Sequence, residues 1–176
     1  MLPQPVRETI PPERKLTQRV AGGDVRPVRV LFLCTGNSCR SQMAEGLLRR
    51  LVPPPAAEVV SAGTDPKPVH PDAVRVMREI RVDISAQRSK SLEPFLQQEF
   101  DYAITLCDEA QQACPTFPGA AQRLHWPLPD PATACGPEPE RLAVFRAVRD
   151  ELAARIDGLL QDIFAKLLEK ASAASQ

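Results

Sequence analysis

The sequence predicts an α/β fold of three layers, a parallel sheet flanked by helices. Three observations carry that expectation. Val28 to Leu33 is a short, nearly continuous apolar run, the composition of a strand buried on both faces. A loop of small polar residues follows it directly, and then an apolar pattern at helical spacing. Strand-like and helical runs then alternate to the C-terminus, the order that builds parallel sheets.

Residues 1–27 mix Pro, Arg, Glu and Gln without period and are expected to form a flexible N-terminal extension. The domain is placed at 28–170. After the first strand, Met43, Ala44, Leu47, Leu48 and Leu51 space a helix that Pro53, Pro54 and Pro55 close. Glu58 to Ser61 reads as a second strand, with Gly63 as a break. His70 to Ile80 reads as a helix with Pro71 at its first position and Val74, Met77 and Ile80 on one face. Phe100 to Leu106 is a third strand, leading into CDEAQQACP, a short helix-like segment ended by Pro115. Arg123 to Trp126 is a candidate fourth strand. A last helix runs from Glu138 to about Leu168, with Leu142, Phe145, Leu152, Ile156, Leu159, Ile163 and Leu167 as its buried stripe. Residues 171–176 are expected to fray.

The chain has 176 residues, which favours one domain. Its 22 basic and 22 acidic residues cancel, so no electrostatic argument points to nucleic acid or an anionic membrane. No run approaches the ~18 apolar residues of a membrane span, and the N-terminus lacks a secretory apolar core. A cytoplasmic monomer is expected. Disulfides are rare in that compartment and usually catalytic there. Five cysteines, Cys34, Cys39, Cys107, Cys114 and Cys135, are an odd number and contain no C-x-x-C pair. His70 and His125 match no zinc spacing, so no metal site is expected and redox or nucleophilic chemistry becomes the live alternative.

Cys34 to Arg40 has the pattern C-x5-R between an apolar strand and an amphipathic helix. Such a loop turns backbone N–H groups into one concavity, Thr35, Gly36, Asn37, Ser38, Cys39 and Arg40 in this chain, and the helix dipole adds positive charge. A tetrahedral oxyanion fits that nest, and Arg40 can clamp two of its oxygens. Cys34 sees the same field, so its pKa is expected to fall well below the free value of ~8.5, with Ser41 donating to the thiolate. Gly36 is expected to supply backbone freedom, and Asn37 to tolerate a left-handed conformation. C-x5-R alone is weak; a buried structural cysteine beside a capping Ser and a surface Arg would give the same letters.

VLFLCTGNSCRSQMAEGLL resembles the signature segment of the low-molecular-weight protein tyrosine phosphatase superfamily, and in detail the thioredoxin-coupled arsenate reductases within it. The resemblance covers the chain from about Val28 to the last helix. It implies a four-stranded parallel sheet flanked by helices. It also implies roles: Cys34 as nucleophile, Arg40 as oxyanion clamp, Ser41 as thiolate stabiliser.

Phosphatase and reductase share the loop, and two other regions separate them. Cys107 and Cys114 are seven residues apart. In a helix they would share a face but sit ~10.5 Å apart along the axis, beyond the ~7 Å between Cα atoms that a disulfide tolerates. Bridging them requires the segment to unwind, which would expose the disulfide to a thiol reductant. The reductases carry such a pair, and the resemblance implies a Cys34–Cys107–Cys114 relay regenerated by external thioredoxin, with no resident cofactor. Two inert buried cysteines are the bland alternative. In the second region, Asp130-Pro131 resembles the family's general-acid loop; alone it would read as a turn. The tyrosine phosphatases follow that dipeptide with an aromatic pair, whereas Ala132 and Thr133 follow here.

Cys39 reads as a loop residue and Cys135 as a bystander at a strand end. His125 reads as a hydrogen-bonded strand residue. Some reductases of this family hold potassium with an Asn, a Glu and an Asp. Asn37 and Glu45 match the first two, and Lys90 falls where the third would be, so its ammonium is expected to replace the ion. The main rival function is a phosphatase for phosphotyrosine or a small phosphomonoester, which would not need Cys107 or Cys114. An oxyanion-binding redox sensor would not need Asp130, and a glutaredoxin-coupled reductase would not need Cys114.

Overall fold

The computed structural model describes residues 26–113, 117 and 119–173. Residues 1–25 and Cys114 therefore lie outside the described residues, and with them the expectations for the N-terminal extension and for the second relay cysteine. Four strands form one parallel sheet: β1 (Val28–Cys34), β2 (Ala57–Gly63), β3 (Phe100–Thr105) and β4 (Ala120–His125), in the order β2-β1-β3-β4. The helices are α1 (Arg40–Leu51), α2 (Pro71–Glu79), α3 (Asp108–Ala113) and α4 (Glu138–Ala173).

Strand alternation divides the core. Val28, Val30, Phe32 and Cys34 of β1 face the larger core, packed with Met43, Ala44, Leu47 and Leu48 of α1. Ala73, Val76 and Met77 of α2 join them, as does the whole expected stripe of α4. Leu31 and Leu33 face a smaller core, closed by Leu92, Phe95, Phe100 and Phe117. A 3-10 turn at Glu93–Phe95 lies on that side and is not evident from the sequence pattern.

Several boundaries differ from expectation. β4 starts at Ala120, three residues before Arg123, on a strand that pairs with β3 alone and leaves Ala121 to Arg123 exposed. Such an edge needs no alternating pattern. In α2 the fully buried positions are Ala73, Val76 and Met77, while Val74 and Ile80 are half-buried. The last helix continues to Ala173, and Ala171 is buried at 3% exposure, so the frayed tail does not begin at 171. Arg146 and Arg149 of α4 both pair with Glu79 of α2, at 2.7 and 3.0 Å. They hold its carboxyl down at about 2.

Candidate active site

From β1 the chain crosses outward to β2, whereas β3 lies on the opposite side of β1. The loops after β1 and β3 therefore open toward each other at the carboxyl ends of the strands, the usual ligand crevice of an open parallel sheet. There they enclose a cavity of about 610 Å³ lined by Thr35, Arg40, Cys107, Leu128, Asp130 and Thr133, with no aromatic side chain on its walls among the described residues. A larger groove of about 760 Å³, between Pro68 and Ser89, holds none of the expected site residues.

Cys34 closes β1 and is 3% exposed. Its Sγ lies 2.8 Å from Ser41 Oγ and accepts the Asn37 N–H at 3.1 Å. Asn37 has the expected left-handed backbone, with φ of 44°. Its Nδ2 donates to Ser41 Oγ and Ser61 Oγ, both at 2.8 Å. Its Oδ1 accepts from Lys90 N at 2.7 Å and Gln42 Nε2 at 3.1 Å, and its carbonyl accepts from Ser89 Oγ at 2.7 Å. Gly36 does not take the left-handed conformation, so Asn37 alone makes that turn of the loop. The glycine the loop depends on is Gly63, at the end of β2: a Cβ there would lie 2.4 Å from Thr35 O and 2.9 Å from Asn37 N.

Arg40 is buried. Its Nη1 donates to Leu128 O at 2.9 Å, and its Nη2 lies 3.3 Å from Asp130 Oδ2. Its Nε is buried without a hydrogen-bond partner, alone in this among side-chain nitrogens and oxygens of the described residues. An unpaired buried donor costs ~1–3 kcal/mol, and an oxyanion oxygen in the loop can accept from it. Asp130 caps the 3-10 turn Pro131–Thr133, accepting the Ala132 N–H at 3.1 Å, and this turns its second oxygen toward Arg40.

The expected depression of the Cys34 pKa is not found. Burial pushes the thiol up, and the hydrogen bonds from Ser41, the Arg40 charge and the Asn37 N–H pull it down by less. The Asp130 carboxylate and the Leu128 carbonyl engage the same guanidinium. Cys39, also buried, precedes α1 and is pushed up to about 12 by burial.

Cys107 lies just past β3, buried, its Sγ 3.4 Å from Thr35 Oγ1. The structure thus lines one crevice with Arg40, Cys107 and Asp130, while Cys34 and Ser41 are buried against each other at the base of the loop that bounds it. Cys135 is not at a strand end: a loop and the Pro131–Thr133 turn separate it from β4, and its exposed thiol contacts Thr133 O at 3.5 Å. Glu45 is paired with Lys90 Nζ at 3.2 Å and with Arg49 Nη1 at 2.8 Å, and it also accepts from Ser61 Oγ. Gln42, Ser61 and Ser89 escaped the sequence reading. Each acts through hydrogen bonds to Asn37 and to a further residue elsewhere in the chain, which leave no spacing signal.

The sequence profile of the low molecular weight phosphotyrosine protein phosphatases matches residues 29–172. The arsenate reductase of Halalkalibacterium halodurans is 47% identical over 127 residues, covering 72% of this chain and 91% of that protein. Among solved structures, an arsenate reductase in the phosphate-binding state aligns with a TM-score of 0.65 at 35% identity, covering 77% of this chain and 98% of that one. A thioredoxin-dependent arsenate reductase of Corynebacterium glutamicum aligns at 0.61 with 28% identity, covering 88% of this chain and 71% of that one.

Proposed function

We propose that this chain, which belongs to the low molecular weight phosphotyrosine protein phosphatase family, reduces arsenate to arsenite through a relay of three cysteines. The observation that carries the reading is the meeting of the Cys107 thiol with the Cys34 loop, 3.4 Å from Thr35 Oγ1, in a crevice without aromatic walls. A phosphatase has no use for that second thiol, and a small inorganic oxyanion needs no ring platform.

Arsenate sits on the loop N–H groups with Arg40 Nε and Nη2 turned to its oxygens. Asp130, 3.3 Å from Arg40, is placed to protonate the oxygen that leaves. Cys34 sulfur bonds to arsenic, its thiol proton passes by way of Asp130 to an arsenate hydroxyl, and that hydroxyl departs as water. Cys107 sulfur then attacks Cys34 sulfur. The S–As bond breaks, its electron pair stays on arsenic, and arsenite leaves with arsenic reduced by two electrons. The two thiols have become a Cys34–Cys107 disulfide. Cys114 attacks Cys107, frees Cys34, and leaves a Cys107–Cys114 disulfide for thioredoxin to reduce. Lys90 occupies the place of a bound cation beside Glu45 and steadies Asn37 through its backbone N–H.

Cys107→Ser separates the two chemistries. It is expected to abolish arsenite formation while any hydrolysis of p-nitrophenyl phosphate persists. Undiminished arsenite formation by that variant contradicts the relay.

A further inference from the structure

Three polar side chains outside the groups above link the strand ends to the Cys107 turn. Thr105 is the last residue of β3, His125 the last of β4 and Asp108 the first of α3. Thr105 Oγ1 lies 2.8 Å from His125 Nδ1, and His125 Nε2 lies 3.1 Å from Asp108 Oδ1. An ionised carboxylate only accepts, so Nε2 carries a proton on the Asp108 side. The Thr105 hydroxyl also reaches Leu124 O at 3.4 Å. If it donates there, Nδ1 must donate to it and the ring is an imidazolium; if the ring is neutral, the hydroxyl donates to Nδ1. In both states the imidazole bridges two strand ends to Asp108, whose backbone joins Cys107 directly.

The base of this bridge is fixed. The Trp126 N–H donates to Thr105 O at 2.8 Å, and the Leu106 N–H donates to Leu33 O at 2.8 Å. Beyond Leu106 the turn enters α3, described over Asp108–Ala113. Asp108 lines the crevice and His125 does not, so the ring can act on the reaction only through its neighbour.

We infer that His125 is a positioning residue for the Cys107 step: through Asp108 it holds the turn that presents the Cys107 thiol to the Cys34 loop. The chemistry of that step rests on the reductase reading, but the placement of Cys107 does not. The pair is partly open to solvent, with side chains 24% and 71% exposed. Its loss therefore shifts one turn without unfolding the domain.

The test uses the full chain with His125→Ala, Asp108→Ala and Asp108→Asn. Iodoacetamide labelling, resolved by residue with mass spectrometry, reads the presentation of Cys107 without arsenate. Both alanine variants are expected to raise Cys107 labelling about three-fold and leave Cys34 labelling unchanged. Asp108→Asn still accepts from Nε2 and is expected to label like the parent. Single-turnover arsenite release should fall about three-fold in the alanine variants, with inorganic phosphate binding unchanged in His125→Ala, whose side chain does not line the crevice. Parent-like Cys107 labelling in His125→Ala overturns the inference. So does a parallel change in Cys34 labelling and phosphate affinity, which would mark general loosening. A parent that releases no arsenite while the labelling differs as expected leaves the positioning role standing and removes the reductase reading.

Discussion

Cys34 and Cys107 are equally buried, each 3% exposed, yet they are held by different means. The Cys34 loop is over-determined. Asn37, Ser41, Ser61, Gln42, Ser89 and the Lys90 backbone form one connected hydrogen-bond network around it, and the 12-residue α1 follows directly. The Cys107 turn has the Thr35 contact, the Asp108–His125 pair and a six-residue helix. In physical terms the first region is preorganised to hold charge, while among the described residues the second is held by fewer hydrogen bonds. The proposed relay would use that division, with the oxyanion on the fixed loop and the thiol exchange on the other side of the crevice.

The contrast can be broken from the loop side first. Gly63→Ala pushes a methyl into Thr35 O and Asn37 N, both backbone atoms of the loop. Overpacking of this kind costs about 1–3 kcal/mol, so phosphate affinity, read by calorimetry, should fall about 10- to 100-fold. Unchanged Cys107 labelling in the same variant would sharpen the separation of the two regions.

Glu79→Gln acts on the scaffold beneath both. The hydrogen bond from Arg146, then that from Arg149, holds the Glu79 carboxyl at about 2 against an ordinary 4.5. A depressed carboxylate contributes stability that is present above its unfolded pKa and lost as pH falls from about 4.5 toward 2. Glu79 is about a third exposed, so solvent screening reduces the contribution to about 1 kcal/mol. Glu79→Gln should therefore lower the Tm by about 2–4 °C at pH 7. The difference should close as pH approaches 2, and a difference that persists there contradicts the assignment.

The smallest effect concerns the cation place beside the loop. Lys90 Nζ already pairs with Glu45 at 3.2 Å, so titrating potassium chloride against sodium chloride at constant ionic strength should change arsenate turnover less than about two-fold. A large potassium stimulation would contradict the substitution of ammonium for ion.

The sequence was most legible where local pattern and chemistry coincide. The apolar run of β1, the C-x5-R loop and the spacing of α1 each follow from neighbouring residues. The place of Asp130 beside Arg40 was expected only from the resemblance of Asp130-Pro131 to the family's general-acid loop. Features set by distant packing were not legible. The upward push on the Cys34 thiol comes from burial, and the partners of Arg40, Leu128 O and Asp130, lie far along the chain. β4 lies at an edge, where Ala121 to Arg123 carry no alternating pattern. Ala171 looks like part of a weak Ala-Ser tail until the core beneath it is in place. His125 read as a hydrogen-bonded strand residue and is one, but its partners Thr105 and Asp108 appear only once β3 and β4 are side by side.

The central claim is the three-cysteine relay. Its most direct test is NADPH consumption with arsenate, thioredoxin and thioredoxin reductase, comparing the parent with Cys34→Ser, Cys107→Ser and Cys114→Ser. The relay requires that the parent turn over and that each single variant stall. Steady turnover by Cys107→Ser or Cys114→Ser, or a parent that hydrolyses aryl phosphate but consumes no NADPH with arsenate, would contradict it.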